Sequence, residues 1–244
     1  MPNRKPTGAP KIVTRRRAAG AVGPIEDPPR PVDDETLTEI FRRFEAAEPA
    51  PRGELEHVDP YTLLVAVVLS AQATDRSVNL ATERLFKVAD TPAKMVDLGE
   101  ERLTDYIRTI GLYRTKAKHV IALSRRLLEE HGSVVPPARA YLESLPGVGR
   151  KSASVVLNMS FGEPTIAVDT HVFRVSHRIP IVVAKTPDEV QRGLEARIPK
   201  PFLRHAHHWL ILHGRYVCKA RTPDCPTCRI RDLCRFPNKT PPTG

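Results

Sequence analysis

The chain has 244 residues, 41% of them hydrophobic, and a formal net charge of +10. That length supplies one or two domains with a normal core, so folding requires no disulfide framework. The charge favours a polyanionic partner, with nucleic acid first and an anionic membrane surface second, although a merely basic soluble protein also fits it. No segment reaches the roughly 18 to 20 apolar residues of a membrane span, and we find no secretory signal, so a cytosolic protein is expected.

Residues 1–33 contain seven prolines, seven Lys or Arg residues and no periodic apolar face. This composition predicts a disordered basic tail. The run Arg15–Arg17 could contact phosphates without sequence preference, and a solvated extension with no specific role is the simpler interpretation. A transit peptide fits less well because Glu26, Asp27 and the prolines interrupt the pattern.

From residue 34 onward, apolar residues recur with helical spacing. Asp34 is expected to cap the first helix, and the stretch 61–73, apolar nearly all round, predicts a buried central helix. No alternating pattern of useful length predicts a strand, so the fold class is all-α. Further helices are predicted at 76–88, 92–97, 100–108, 114–131, 138–145, 150–160, 170–177, 187–197 and 202–213.

Two glycines stand between predicted helices in the stretch Leu145–Lys151. Gly147 and Gly149 allow the backbone to bend and to approach a partner closely. Free N–H groups at the start of the next helix, near Arg150, can hold a phosphate. The stretch therefore predicts a helix–hairpin–helix DNA-binding element, with a simple corner between two helices as the alternative.

Lys151 lies in the first turn of the helix that follows the hairpin. The positive end of the helix dipole and any burial disfavour an ammonium charge, so the amine could be partly neutral and nucleophilic near pH 7. A lysine that contacts phosphate is the alternative role.

Asp169 stands where the helix at 170–177 should begin, and its ordinary role is that of an N-cap. A carboxylate held there by backbone N–H groups would stay ionised. If it faces an active site, it could stabilise positive charge that develops on a sugar.

Four histidines and a tryptophan share one helical stretch near the end of the chain. A metal site is conceivable from their spacing, but packing and hydrogen bonding between lobes is the preferred interpretation. These residues are His205, His207, His208, Trp209 and His213.

All four cysteines lie between residues 218 and 234, with the spacing C-x6-C-x2-C-x5-C. Clustered cysteines in a cytosolic protein indicate a metal site. Only Cys225 and Cys228 form the close pair that zinc usually takes, so the uneven spacing favours a [4Fe–4S] cluster held by Cys218, Cys225, Cys228 and Cys234, without excluding zinc.

Six motifs occur in order along the chain: LSAQATD at 69–75, IGLYRTKA at 110–117, LPGVGRK at 145–151, IAVDTH at 166–171, HHWLILHGRYVC at 207–218, and the cysteine spacing. Together they resemble the endonuclease III family, a branch of the helix–hairpin–helix DNA glycosylases, over residues 34–238. One departure is Asp224, which precedes Cys225 where the family often has a basic residue.

The resemblance implies two helical lobes with a DNA cleft between them. A six-helix bundle with the helix–hairpin–helix would span 53–163. The iron–sulfur cluster lobe would combine 34–52 with 164–240.

The resemblance also implies roles for individual residues. Lys151 would be the Schiff-base nucleophile, Asp169 its catalytic partner, and the four cysteines the ligands of a [4Fe–4S] cluster. Gln72 would fill the gap left by a flipped base, and Leu112 would wedge open the opposite strand. Other expected DNA-binding residues are Gly147, Gly149, Arg150, His171, Lys219 and Arg221.

The implied activity is that of a bifunctional DNA glycosylase and abasic-site lyase of base excision repair. It would remove oxidised pyrimidines and cleave abasic sites by β-elimination through a lysine Schiff base. The expected partner is double-stranded DNA that contains damaged bases or abasic sites, bound by a monomer without membrane contact, in the cytoplasm of a bacterium and on its nucleoid.

Three alternatives are weighed against this function. An adenine glycosylase acting at mismatches needs a carboxylate in the buried helix, and 61–74 contains none. A non-catalytic DNA-binding iron–sulfur protein would need the hairpin and cysteines but not Lys151 together with Asp169. A preference for oxidised purines within the lyase class stays open.

Overall fold

The computed structural model describes residues 30–241, and residues 1–29 of the tail predicted at 1–33 lie outside this range. Within the described range the chain forms ten α-helices and one π-helical segment, and no strand. The helices are α1 Asp34–Ala47, α2 Pro60–Ser70, α3 Asp75–Leu85, α4 Pro92–Ile107, α5 Tyr113–His131, α6 Arg139–Ser144, α7 Arg150–Phe161, α8 Thr170–Arg178, α9 Pro187–Arg197 and α10 Lys200–Leu212, followed by the π-helical segment His213–Val217. The predicted all-α fold is confirmed.

The first lobe is built around α2, whose nine residues from Tyr61 to Leu69 are all buried. Asp59 caps the helix in a capping box with Thr62, because each side chain bonds to the other residue's backbone N–H. Helices α3, α5 and α7 pack against α2. A helix that is apolar on every side is stable only when neighbours surround it, and so α2 forms the centre of this lobe.

The second lobe has its own apolar core, which α1, α8, α9 and α10 enclose. Phe41 of α1 stacks on Phe202 of α10 with ring centroids 6.0 Å apart, and Trp209 lies 6.2 Å from Phe41. The Trp209 indole N–H donates to the carbonyl of Glu48 at 2.9 Å, which satisfies the polar atom of a buried aromatic side chain. Two separate cores therefore produce the two lobes.

Residues before the predicted boundary at residue 34 already pack in the second lobe. Val32 is buried in the core of the second lobe, and its N–H donates to the carbonyl of Pro180 at 3.0 Å. Asp33, rather than Asp34, caps α1 by accepting from the N–H of Thr36. Residues 30–33, predicted as part of the tail, thus belong to the fold.

Helix α4 contains a sharp kink at Gly99, where the sequence predicts a break between two helices. Gly99 has φ 77° and ψ 163°, a conformation essentially restricted to glycine.

No helix in residues 30–241 is long and apolar enough to cross a membrane.

The kink provides a test of backbone strain. Gly99→Ala is expected to lower the free energy of unfolding by about 1 to 3 kcal/mol, because a Cβ disfavours this conformation. No atom lies within 4 Å of the position a Cβ would take, so the loss comes from the backbone alone. Denaturant unfolding measures it, with Glu101→Ala at an exposed position of α4 as control. Equal stability of the two variants would contradict this account.

Candidate active site

The predicted hairpin lies between α6 and α7, and α7 begins at Arg150, where the sequence places it. Gly147 has φ 78°, and a Cβ there would lie 2.8 Å from the ring of His119, so both the conformation and the space require glycine. Gly149 is the N-cap of α7 and makes no side-chain cap hydrogen bond. The first N–H groups of α7 are therefore left for a partner.

Lys151 lies in the first turn of α7, and its side chain is exposed. Burial of this lysine, which the sequence leaves open, is not observed. In the described part of the chain, no carboxylate lies within the 4.0 Å of an ion pair with Lys151.

Asp169 is the N-cap of α8, as the sequence predicts. One of its carboxylate oxygens, Oδ1, accepts from the backbone N–H groups of His171 at 2.8 Å and Val172 at 2.9 Å. The residue is half-buried and also lines a cleft, so the capping role and a place in the cleft are compatible.

The cleft lies between the two lobes and encloses about 620 Å³ of free space, including the part open to solvent. Lys151 reaches it from the first lobe and Asp169 from the second. The walls are completed by the segment between α1 and α2, by α2, α3, α7 and α10, and by the π-helical segment. Their lining residues are Arg52, Gly53, Glu54, Leu55, Val67, Ser70, Asp75, Val155, Met159, His207, His208, Ile211, Leu212 and Arg215.

An arginine between two carboxylates forms part of the cleft wall. The Arg215 guanidinium pairs with Asp75 at 2.7 Å and with Glu54, which also accepts from the Tyr216 hydroxyl. Three distant segments are joined in this way. The sequence does not predict this group, because Glu54, Asp75 and Arg215 lie in separate stretches of the chain and share no local motif.

Two buried histidines line the inner side of the cleft. Burial lowers the pKa of His207 to about 3 and that of His208 to about 4, so both rings are neutral at physiological pH. Among the described residues, the Nδ1 atoms of both rings have no hydrogen-bond partner. His205 packs on Trp209 with ring centroids 5.6 Å apart, and the rings of His207 and His208 lie 5.2 Å apart, edge to face.

Gln72 and Leu112 lie at the tips of two adjacent loops, and both are exposed. Their φ angles are 56° and 60°, in the left-handed region that residues with a Cβ rarely adopt. A Cβ added at Gly111 would lie 3.8 Å from the Gln72 carbonyl oxygen, which shows how close the loops are.

The remaining residues predicted to bind DNA have mixed surroundings. Arg150 pairs with Asp188 at 3.3 Å and donates to the Gln191 side chain at 3.3 Å. His171 Nδ1 lies 3.2 Å from a guanidinium nitrogen of Arg174. Lys219 and Arg221 are exposed near the cysteine loop.

All four cysteines line one cavity at the end of the second lobe, with about 360 Å³ of free space that includes its open side. No disulfide joins them among the described residues. Burial and the neighbouring cysteines raise the pKa of Cys228 to about 11, so a positive centre is needed to hold it as thiolate. Arg178 donates to the Cys218 sulfur at 3.5 Å, and the N–H of Phe236 donates to the Cys234 sulfur at 3.5 Å.

The donor set of this cavity fits a sulfur-ligated metal group. Within residues 30–241, no three His, Cys, Asp or Glu side chains are arranged to hold a single metal ion. A [4Fe–4S] cube takes each thiolate on a different iron and spreads its ligands more widely than one zinc ion does. The four cysteines around one cavity are compatible with a cluster of this kind.

Comparison with known proteins decides the family. Residues 65–200, more than half of the chain, match the family described as HhH-GPD superfamily base excision DNA repair protein. Endonuclease III of Treponema pallidum (strain Nichols) is 56% identical over 205 residues, 84% of this chain and 97% of that protein. The chain belongs to the endonuclease III family. Endonuclease III of Escherichia coli (strain K12) is 53% identical over 201 residues, 82% of this chain and 95% of that protein.

A solved structure supports the same assignment. A trapped covalent intermediate of an endonuclease III with DNA has a TM-score of 0.78 and 42% identity, and the match covers 84% of this chain and 97% of that one. As a member of this family, the protein is a base excision repair enzyme, a DNA glycosylase with abasic-site lyase activity.

The neutral histidines of the cleft make stability depend on pH. Below about pH 6.5, the unfolded chain protonates His207 and His208 while the folded chain does not. The stability that these two residues contribute is therefore complete above that pH and is lost as the pH falls. The free energy of unfolding is expected to fall between pH 6.5 and 4.5 by about 1.4 kcal/mol per pH unit for each histidine.

Denaturant unfolding across this pH range tests the expectation. His208→Gln should reduce the slope by one histidine's share, whereas His57→Gln, at an exposed position, should keep the wild-type slope. An unchanged slope in His208→Gln would show that its ring is not held neutral.

Proposed function

We propose that this endonuclease III family member removes oxidised pyrimidines from DNA and cleaves the resulting abasic site through a Schiff base on Lys151. The observation that carries the proposal is the meeting of Lys151 and Asp169 at one cleft, each at the start of a helix from a different lobe. An exposed amine opposite a fixed carboxylate is the arrangement that nucleophilic displacement at a sugar carbon requires.

The first step proceeds at C1′ of a nucleotide flipped out of the duplex, which costs less for a damaged base than for an intact one. The neutral Lys151 nitrogen forms a bond to C1′ while the bond from C1′ to the base breaks and the base leaves with the electron pair. The proton that the nitrogen loses is transferred, with the help of Asp169, to the departing base. Asp169 stabilises the positive charge that develops on the sugar. Its Oδ1 is held by two N–H groups, so the carboxylate does not need to reorient during the step.

The second step cuts the strand. Opening of the sugar ring leaves a C=N bond between C1′ and the Lys151 nitrogen, and this cation acidifies the proton on C2′. Transfer of that proton to water leaves its electron pair to form a double bond between C2′ and C3′. The bond from C3′ to the 3′ phosphate oxygen breaks at the same time, and the phosphate leaves with its electron pair by β-elimination. Hydrolysis of the Schiff base then releases Lys151.

Phosphate binding is assigned to the hairpin and the start of α7. The free N–H groups after Gly147 and Gly149 and the positive helix end favour an anion. Arg150 can exchange its exposed pairing with Asp188 for a phosphate at little cost, since such surface pairs contribute only about 0 to 1 kcal/mol. His171, at the start of α8 beside Asp169, is assigned to the DNA strand whose phosphates the hairpin binds.

Two further contacts complete the DNA surface. Gln72 and Leu112, on their adjacent loops, enter the duplex beside the flipped nucleotide. Lys219 and Arg221, exposed next to the cysteine cavity, contact phosphates further along.

A [4Fe–4S] cluster is assigned to Cys218, Cys225, Cys228 and Cys234. When bound, it would crosslink the loop from 218 to 234 and act as a scaffold. The chain's own contribution is to hold that loop against α8 through the bond from Arg178 to Cys218.

The expected partner is double-stranded DNA with a damaged base or an abasic site, bound by a monomer on the bacterial nucleoid. An adenine glycosylase is disfavoured because α2 carries no carboxylate on its buried surface. A non-catalytic DNA-binding protein would have no use for an unpaired lysine facing Asp169 across the cleft.

Lys151→Ala is expected to abolish the covalent adduct that borohydride traps on abasic DNA, because the variant has no amine to form the reducible C=N bond. Gel analysis of the trapped complex measures this result. Lys118→Ala, at an exposed position of α5, should leave the adduct intact. An adduct of undiminished yield in Lys151→Ala would refute the assignment of the nucleophile.

Metal analysis tests the cysteine site. The purified protein is expected to carry about four iron atoms per chain, and Cys228→Ala should lose them. Thr227→Ala, at the exposed neighbouring position, should retain them. Zinc in place of iron would contradict the cluster.

A further inference from the structure

Lys116 is a buried lysine that the proposed mechanism does not use. It lies in the first turns of α5 and is only 4% exposed. Its amine donates to the carbonyl oxygen of Leu69 at 2.8 Å. Burial lowers the pKa of Lys116, and a cation near a helix start is also opposed by the helix dipole, so an apolar residue would be less costly at this position.

Lys116 contacts both loops whose exposed tips, Gln72 and Leu112, have left-handed backbone conformations. Leu69 is in the last turn of α2, and the loop that follows contains Gln72. The backbone N–H of Lys116 donates to the carbonyl of Leu112, the N-cap of α5, at 3.0 Å. Lys116 therefore bonds both to α2, the helix that leads into the Gln72 loop, and to Leu112 at the end of the other loop.

The two loop tips are held in a costly conformation. Within residues 30–241, the non-glycine residues with positive φ are Gln72, Leu112 and Ser133, so two of the three lie on these loops. Each such residue costs of order 1 to 3 kcal/mol and persists only when its surroundings enforce it. Leu69 contributes one of the last four carbonyls of α2, which have no partner within the helix, and the Lys116 amine supplies one.

We propose that Lys116 is a positioning residue that fixes the loop tips carrying Gln72 and Leu112 in the geometry with which they enter DNA. The inference rests on the proposed function, which assigns these two residues to the duplex beside the flipped nucleotide. Lys116 itself touches neither DNA nor the reacting atoms. Its effect is therefore on DNA engagement and not on the chemistry at Lys151.

The test compares Lys116→Met with Lys118→Met, a variant that removes the same charge from an exposed position two residues further along α5. Two readouts are needed. Duplexes with an abasic site opposite 2-aminopurine report the unstacking of the opposite strand by fluorescence. Borohydride trapping at saturating DNA reports the chemistry at Lys151.

Lys116→Met is expected to raise the KM for abasic duplex about tenfold, because one strained loop is no longer held in its conformation. The variant should also lose most of the fluorescence rise. Its trapping rate at saturating DNA should stay within about twofold of wild type. Lys118→Met should match wild type in KM and fluorescence. Lys116→Gln, which keeps a donor for the Leu69 carbonyl, should recover part of the fluorescence rise.

Other results overturn the inference. A fluorescence rise in Lys116→Met equal to that of Lys118→Met would show that the loops do not depend on Lys116. Loss of trapping at saturating DNA in parallel with fluorescence, or failure of both Lys116 variants to fold, would assign Lys116 a general structural role. If wild type and Lys118→Met form no adduct at all, the proposed function fails and not the role of Lys116.

Discussion

The geometry of the cleft depends on the hydrogen bonds that hold the chain where it crosses from α7 to α8. The buried Asn158 side-chain amide donates to the carbonyls of Glu163 and Thr165. The Glu195 carboxylate accepts from the Thr165 hydroxyl at 2.8 Å and from the N–H of Ile166 at 3.0 Å. These bonds fix the connection between the helix that carries Lys151 and the residue that caps α8. Buried polar groups therefore hold the start of α8, where Asp169 lies, against the end of α7.

Helix α8 extends this constraint to the cysteine loop. Asp169 caps the start of this helix, and from its middle Arg174 donates to the carbonyls of Gly214 at 2.7 Å and Cys218 at 3.0 Å. Arg178, in the last turn, donates to the carbonyls of Lys219 and Ala220. One short helix therefore joins the cleft to the cavity lined by the four cysteines.

Local patterns in the sequence account for most of the fold. The apolar run of α2, the glycines of the hairpin and the cysteine spacing are visible because each property belongs to neighbouring residues. The kink at Gly99 is also marked locally, by a glycine between two helical stretches. These features predict the order and the ends of most helices within a few residues.

Contacts between distant residues could not be predicted in the same way. Arg215 meets Asp75 across 140 positions of sequence, and Lys116 reaches Leu69 across 47. Periodicity indicates which face of a helix is buried, but not which polar side chains from other segments meet there. The cleft wall around Arg215, the burial of Lys116 and the packing of Val32 therefore became visible only in the structure.

The central claim is that the Lys151 nitrogen bonds to C1′ of the damaged nucleotide. The most direct measurement is mass spectrometry of the protein after borohydride reduction on abasic duplex DNA, followed by proteolysis. The account predicts that the sugar remnant is found on the side chain of Lys151. A remnant on another lysine, or on the amino group of the first residue, would contradict it.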